Sequence, residues 1–501
     1  MPGLKDSERE SCRALALKNI AYCLSITDHE FRTPHYSRGR DWGAHTGEWM
    51  IYYLLCALEL VERDGLGTVE MRARLRIVVQ GGTDVLHRHF LQRYAKPPTH
   101  FPGNHETWHG LLFYRAGNYF SQSEWSRYGH DFIVNWVLPY QSADGYWPEG
   151  QGIVVGYSCV TAHAVSIFAE LAGNEAAHRA VEKAIGFHGY FKLPDGSDAI
   201  TPDVRMRYHK KPVAFFPPGF IHSPKGQELA MLGMRSMRGY LQEYGVNDNG
   251  AQQVAFLASS CEWLFRSDVV VENKQPDVSG TLPVAKVQDE KWVGFASWQI
   301  VPEWTANRFV LDSQNFIELW HAEAGYLVGT GNSKFMPRFS TLRRVDQGRA
   351  YVPDRARGQQ TGPQSAVVCY GFGEDEVEVE LSLHDGACEV AVQTTKCSSH
   401  AHYEFALMLA FQPGETIAIN GREETLSPSR LVRSEQSFQW RGLNWGASAD
   451  SVLEYPIVPH NCYTQDGLPH PSDYVARWSV NVTLEKCVLR IQPASNSAAT
   501  P

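Results

Sequence analysis

The sequence predicts a multidomain protein in which an N-terminal incomplete (α/α) toroid is followed by an antiparallel β-sandwich. Apolar residues in the first half recur with the helical period of about 3.6 residues. After Arg266 the period becomes two, as in strands that are buried on one face. Turn dipeptides such as Asn420-Gly421 separate the later segments. We therefore place the toroid in residues 1–266, a linker in 267–291 and the sandwich in 292–495.

The helices of the toroid are expected as pairs, one apolar throughout and the next amphipathic, which fits two concentric layers. The Gly81-Gly82 pair predicts a break in the second of them. No fixed short repeat that would indicate a solenoid is visible. The predicted helices span residues 47–62, 71–94, 105–119, 123–137, 158–171, 175–187, 227–244 and 251–266.

The linker is polar and contains Pro276, Gly280 and Pro283, which interrupt regular structure. Many short strands over about 200 residues, with turns between them, are typical of a sandwich. The predicted strands span residues 308–311, 316–321, 376–383, 388–394, 403–411, 416–419 and 474–484.

Composition excludes several classes of function. The formal net charge of the 501 residues is −9, which disfavours a nucleic-acid binder, although a local basic cleft can still bind an anionic sugar. The ten cysteines form no CxxC pair, so neither a disulfide framework nor a zinc motif is predicted. The sequence contains no run of about 18 apolar residues, so no membrane span is indicated. Without a visible signal peptide we expect a cytoplasmic protein, or a secreted one if a leader was removed before residue 1.

The densest group of polar residues opens the helix predicted at 105–119. Asn104 is a favourable helix cap, and a helix N-terminus attracts an anionic group. His105 follows it directly. Asn104 and His105 are therefore candidates for binding a substrate carboxylate, whereas the structural alternative is a capping Asn beside a packed His.

A second motif, DGYWPEG in residues 144–150, leads through Gly156, Tyr157 and Ser158 into an apolar helix that contains His163. Its glycines permit close backbone approach to a ligand. Tyr157 lies at the helix entrance, where its phenol can face a cleft. A structural tyrosine in a Gly-rich turn is the alternative.

Three further segments carry candidate binding residues. Residues 203–211 form the strongest local basic stretch and contain Arg205, Arg207 and His209. Residues 42–49 contain His45 at the start of a core helix. A loop at 329–334 contains Asn332 and Lys334 but lacks the spacing of a phosphate-binding loop.

An Asn-His pair opening a helix, followed after 53 positions by Tyr157, resembles the toroid-plus-sandwich polysaccharide lyases. That group includes the heparinase II/III-like proteins and the toroid-type alginate lyases. The stretch from Asp144 to Ser158 is also similar to their DG…E…Y segment. Heparinase II/III-like proteins often carry a Gly/His-rich segment ending in His-Ala-Asp. Here only His400-Ala401-His402 approximates it, so no metal site is expected in the β-domain.

The resemblance implies β-elimination on a glycan that contains uronic acid. Asn104 and His105, with Arg205 or Arg207, would neutralise the uronate carboxylate and stabilise the enolate-like charge that develops. Tyr157 would be the general acid for the leaving oxygen. It would also be the base for elimination on one face, whereas His209 or His163 would be the base on the opposite face.

The anionic polysaccharide or oligosaccharide would also need binding residues. Trp108, Tyr146 and Trp147 would form a platform for sugar rings. The reaction requires no nucleotide or redox cofactor, and a bound divalent cation is left open. The remaining candidate binding residues are His45, Glu149, Arg205, Asn332 and Lys334.

Two alternatives stay open at this point. A glycoside hydrolase on the same toroid needs two carboxylates about 5–10 Å apart, and Glu106, Asp144 and Glu149 are the candidates, with Glu48 also available. A non-catalytic sugar-binding protein would explain the aromatic residues, but it gives no reason for the cluster of Asn, His, Tyr and Arg.

Overall fold

The computed structural model describes most of the chain. The described residues are 5–37, 40–94, 102–150, 152–205, 217–245, 260, 281–300, 315–329, 337–397, 402–429 and 431–494. The predicted helix at 251–266, apart from Ser260, and the predicted strand at 308–311 lie outside them.

Eight helices of the described residues form the N-terminal half, and they pack as an incomplete α/α toroid. The fourth helix is central, because it contacts the second, third, fifth and sixth. A hairpin of two short strands, which the sequence did not predict, precedes the second helix. The elements are α1 (Asp6–Ile26), β1 (Thr33–Ser37), β2 (Arg40–His45), α2 (Glu48–Arg63), α3 (Val69–Arg93), α4 (Asn104–Tyr119), α5 (Ser123–Phe132), α6 (Val155–Ala172), α7 (Glu175–Phe191) and α8 (Pro224–Tyr244).

The predicted break in α3 is wrong, because the helix continues through both glycines. Their role is to allow close packing. A Cβ at Gly81 would lie 2.1 Å from the Phe31 ring, and one at Gly82 would lie 2.4 Å from Ile51. A larger residue at either position would displace these neighbours. The close packing that the two glycines allow offsets their weak helix propensity.

Helix α6 is the apolar centre of the toroid. Among the described helices it is the one long and apolar enough to cross a membrane by length and composition, but 78% of that stretch is buried inside the protein. Apolar residues on all sides are expected of a helix that other helices surround. Gly173, in the left-handed conformation, ends α6, and Asn174 caps α7 by accepting a hydrogen bond from Ala177 N.

The C-terminal half consists of two antiparallel sheets packed face to face as a sandwich. The nine-stranded sheet has the order β15-β14-β17-β18-β21-β12-β11-β10-β9. The ten-stranded sheet has the order β16-β19-β20-β13-β6-β5-β4-β3, with β7 pairing both β13 and β8. The strands are β3 (Val284–Gln288), β4 (Trp292–Ser297), β5 (Ile317–His321), β6 (Gly325–Val328), β7 (Leu342–Asp346), β8 (Arg349–Tyr351), β9 (Arg355–Gly362), β10 (Ser365–Phe372), β11 (Asp375–His384), β12 (Ala387–Lys396), β13 (His402–Leu409), β14 (Thr416–Ile419), β15 (Arg422–Thr425), β16 (Leu431–Ser434), β17 (Ser437–Trp440), β18 (Leu443–Ala447), β19 (Ser451–Ile457), β20 (Val475–Val482) and β21 (Cys487–Pro493).

The period-two pattern translates directly into strands. Buried and half-buried residues alternate along the whole of β11. The hairpin turns at Asp385-Gly386 and Asn420-Gly421 have positive φ at both positions, as the sequence suggested. One boundary is corrected, because the predicted linker at 267–291 contains β3, which pairs with β4 as an integral strand of the larger sheet.

The two halves share buried surface. Ile153, Val155, Phe187 and Phe191 of the toroid belong to the same hydrophobic core as the strands. Glu318 of β5 is also buried there, and its carboxylate accepts hydrogen bonds from the backbone N–H groups of Ile200 and Thr201, both at 2.9 Å. Burial raises the pKa of Glu318 to about 7 despite these donors. The sandwich thus fixes the loop that enters the segment containing Arg205.

Candidate active site

The start of α4 is held by Glu106. The Glu106 carboxylate accepts a hydrogen bond from Gly103 N at 3.0 Å and another from the Tyr94 hydroxyl at 2.7 Å. Gly103 therefore occupies the cap position, and the expectation that Asn104 caps the helix is wrong. Asn104 is the first helical residue, so its side chain is available for contacts across the toroid.

Glu149 connects Asn104 with Arg205. The Asn104 amide donates from Nδ2 to Glu149 Oε2 at 3.1 Å, and Arg205 Nη1 donates to Glu149 Oε1 at 2.6 Å. Asn104 is buried, and within the described residues its Oδ1 has no hydrogen-bond partner. The structure thus joins the first motif, the DGYWPEG segment and the start of the basic stretch.

Arg205 also contacts Tyr157, which lies in the first turn of α6. The guanidinium carbon of Arg205 lies 4.4 Å from the centre of the Tyr157 ring, a cation–π contact. Burial acts to lower the pKa of Arg205, but Tyr157, Tyr463 and Glu149 outweigh it and raise that pKa, so the guanidinium stays charged. Asp203 accepts a hydrogen bond from Val155 N at 2.7 Å, which fixes the start of α6 beside Arg205.

The sandwich contributes a residue that the sequence did not reveal. The hydroxyl of Tyr463, in the loop between β19 and β20, lies 3.3 Å from the hydroxyl of Tyr157. Burial is the main cause that raises the pKa of Tyr463 above its ordinary value, and the nearby Tyr157 is the second, so the hydroxyl stays protonated. The two tyrosines are separated by 306 positions. No local signal distinguishes Tyr463 from other tyrosines in loops.

His105 contacts residues of α2 and not the Glu149–Arg205 pair. Its Nδ1 lies 2.5 Å from Glu48 Oε1, and its ring packs on Trp49 with centroids 4.7 Å apart. Burial opposes protonation, but the hydrogen bond and charge of Glu48 win and raise the pKa of His105. The same contact overcomes the desolvation of Glu48 and lowers the pKa of that carboxyl. Because 57% of the His105 side chain is exposed, its imidazolium can reach a ligand in solution.

The predicted aromatic platform is wrong in its main members. Trp108 and Trp147 are completely buried, and their indole N–H groups donate to Val160 O at 3.2 Å and Val137 O at 2.9 Å. Tyr146 is half-buried against Phe187 and the sandwich core. The Trp108 and Trp147 rings therefore stabilise the fold and cannot stack on a sugar.

His163 is corrected in the same way. It is fully buried beside Trp108, with ring centroids 5.7 Å apart, and burial lowers its pKa to about 3. A side chain sealed in the core cannot remove a substrate proton, so His163 is excluded as the base.

The carboxylates proposed for a hydrolase have other partners. Glu106 caps α4, and although burial acts to raise its pKa, the Tyr94 hydrogen bond and other donors lower it. Asp144 is buried and accepts a hydrogen bond from Thr281. Glu149 is in the ion pair with Arg205. Each of the three carboxylates is thus engaged by a partner within the protein.

The remaining predicted residues are placed differently. His45 is exposed at the end of β2, and its ring lies 5.0 Å from that of His35. Arg207, His209, Asn332 and Lys334 lie outside the described residues, so their proposed roles stay predictions.

Comparison with known proteins gives the fold. No protein-family model matches the sequence, and a sequence comparison with characterised proteins finds no match. In structure, the chain is similar to heparinase III, with a TM-score of 0.51 and 12% identity over 91% of this chain and 69% of that one. It is also similar to chondroitin AC lyase from Streptomyces coelicolor A3, with a TM-score of 0.43 and 13% identity over 96% of this chain and 71% of that one. The chain therefore shares with heparinase III the fold of an α/α toroid followed by an antiparallel β-sandwich.

Proposed function

We propose that the protein is a lyase that cleaves a glycan containing uronic acid by β-elimination, with Tyr157 as the acid and base. The observation that carries this proposal is the group formed by Tyr157, Arg205 and Tyr463. A phenol in the first turn of a buried helix has a guanidinium against its ring and a second, protonated phenol at its hydroxyl. The likeness in fold to heparinase III agrees with this class of reaction.

The reaction needs a base and an acid on one substrate. The base removes the proton from C5 of the uronate, and the electron pair moves into the carboxylate as an enolate-like intermediate. That pair then forms the C4–C5 double bond as the C4–O bond breaks, and the leaving oxygen takes a proton. Atoms and charge balance without a nucleotide or redox cofactor.

Tyr157 suits both proton transfers if its neighbours stabilise the charge that develops on its oxygen. Arg205 supplies a fixed positive charge close to the ring, and such preorganised charge is effective where water is excluded. The Tyr463 hydroxyl keeps its proton and can donate a hydrogen bond to the Tyr157 oxygen when that oxygen becomes negative.

The uronate carboxylate would lie near His105 and Asn104. The His105 imidazolium is half exposed, so it can attract an anion without the full cost of burying charge. Arg205 is already paired with Glu149, and it therefore acts on Tyr157 rather than as a free carboxylate receptor. Asn104 positions Glu149 through its amide and completes this group.

The test measures the chemistry of the product. Purified protein is incubated with a panel of uronate polysaccharides and with neutral glycans as the control. A lyase generates one ultraviolet-absorbing unsaturated end for every new reducing end. New reducing ends without ultraviolet absorbance would contradict elimination and favour the hydrolase alternative. No product from the whole panel, with binding retained, would favour a sugar-binding protein.

A further inference from the structure

Three metal-binding side chains meet at the far end of α6 from Tyr157. Glu170 lies in the last turn of α6, His178 in the first turns of α7, and His222 ends the short 3₁₀ turn Pro218–His222. At a rise of 1.5 Å per residue, Glu170 lies about 20 Å along the helix from Tyr157. This group is therefore separate from the candidate active site.

The ligand atoms are close enough to share one ion. His222 Nε2 lies 2.5 Å and His178 Nδ1 lies 4.0 Å from the same oxygen of Glu170, and one ligand atom from each residue fits within 4.8 Å. Ligands about 2.1 Å from a tetrahedral ion lie about 3.4 Å apart. To share an ion, the His222–Glu170 distance would open from 2.5 Å and the His178–Glu170 distance would close from 4.0 Å, each by about 1 Å or less.

The backbone that carries these side chains is firmly held. Gly219 N donates to Ser166 Oγ at 2.6 Å, which ties the turn to α6 four residues before Glu170. Gln227 donates to Ile221 O at 2.9 Å, next to His222. A preformed scaffold of this kind reduces the entropy lost when an ion binds.

The side chains define the class of ion. Two imidazole nitrogens and one carboxylate oxygen suit Zn²⁺ and similar transition metals, whereas Ca²⁺ and Mg²⁺ prefer oxygen ligands alone. Glu170 is 13% exposed, His222 35% and His178 38%, so one side stays accessible for entry of the ion and for a water ligand. We propose that Glu170, His178 and His222 bind one Zn²⁺ ion, with a water molecule as the fourth ligand, and that the ion clamps α6, α7 and the 218–222 turn together.

The experiment measures binding of the metal itself. Protein stripped with a chelator is titrated with Zn²⁺ by calorimetry and with Co²⁺ by visible absorption, for the wild type and for His222→Gln, His178→Gln and Glu170→Gln. The matched control is His384→Gln, which removes a half-exposed histidine paired with Glu389 at 3.2 Å in the sandwich. We expect one ion per chain, affinity weakened at least about 10-fold in each ligand variant, and no change in the control.

Folding is separated from ligation by recording circular dichroism and the Tm of every metal-free variant. Zn²⁺ should raise the Tm of the wild type and of His384→Gln by more than that of a ligand variant at the same Zn²⁺ concentration, because the stabilisation falls as the ion binds the folded state more weakly. Glu170→Gln preserves size and hydrogen bonding, so it tests ligation even if a histidine variant folds poorly. Wild-type protein that binds no Zn²⁺, undiminished binding in any folded ligand variant, or a thiolate-to-Co²⁺ charge-transfer band would each overturn the site.

Discussion

The hydroxyl oxygens of Tyr157 and Tyr463 lie 3.3 Å apart, although one residue belongs to the toroid and the other to the sandwich. The contact gives the phenol of Tyr157 a partner that remains a hydrogen-bond donor, because burial raises the pKa of Tyr463. Arg205 lies on the ring of the same Tyr157. Four predictions test how these groups, and the core behind them, work.

Replacing Tyr157 with Phe should reduce kcat by about 10²–10⁴-fold, because the variant retains the ring but has no proton to transfer. The cation–π contact with Arg205 is preserved, so the Tm should change little. Initial rates on the most active uronate substrate measure the effect. The matched control is Tyr22→Phe, which removes the hydroxyl of an exposed tyrosine on α1. Activity of Tyr157→Phe within threefold of the wild type would remove this residue from the mechanism.

Replacing Tyr463 with Phe should lower kcat by about 10–100-fold, the value of a hydrogen bond to a charged group. The loss should be smaller than that of Tyr157→Phe, because Tyr463 assists the reacting group and does not itself transfer the substrate proton. Tyr455→Phe, another buried tyrosine of the sandwich, controls for the loss of a hydroxyl. An unchanged kcat in Tyr463→Phe would assign Tyr463 to packing alone.

Replacing Arg205 with Lys should reduce kcat/KM at least about 10-fold, since an ammonium cannot both lie flat on Tyr157 and bind Glu149 in the same geometry. Glu149→Gln should also reduce activity, and the double variant should be less impaired than the two single effects predict together. The control is Arg179→Lys, whose side chain is 67% exposed on α7. Additive effects of the two substitutions would show that the ion pair is not a functional unit.

The buried His163 should make the protein sensitive to acid. Its pKa is lowered to about 3 in the folded state, whereas the unfolded chain takes up this proton near the ordinary value of 6.5. The folded state therefore loses stability progressively as the pH falls from about 6.5 towards 3, by about 2 kcal/mol at pH 5. His163→Gln should have a lower Tm at pH 8 but a flatter decline of Tm with acid. His130→Gln, at a half-exposed site, is the control. Parallel declines in His163→Gln and the wild type would contradict this account.

The sequence predicted features that depend on neighbouring residues. The helical period identified most of the described helices, whereas the period-two pattern located only six of the described strands. Among these strands β14 has the predicted bounds, because its turn dipeptide and its alternation agree. Long-range contacts explain the failures. Trp108 and Trp147 lie beside polar loops in the chain. The packing of α2, α4 and α6 buries Trp108, and Trp147 is buried with hydrogen bonds to Val137 and to Ser158 of α6. The contacts of Tyr463 and of His222 could not be found, because their partners Tyr157 and Glu170 are distant in sequence.

Because Glu318 anchors the 200–205 segment, the toroid depends on its own sandwich, and this limits the exchange of domains between proteins of this fold. One sandwich strand holds Ile200 and Thr201, and the loop after β19 supplies Tyr463, so both reach the surroundings of Tyr157. A chimera that joins this toroid to a foreign sandwich would retain every toroid residue of the site and would still lose two of its supports. Exchange of whole domains should therefore yield folded but inactive hybrids unless the graft also carries a carboxylate at position 318 and a tyrosine at position 463.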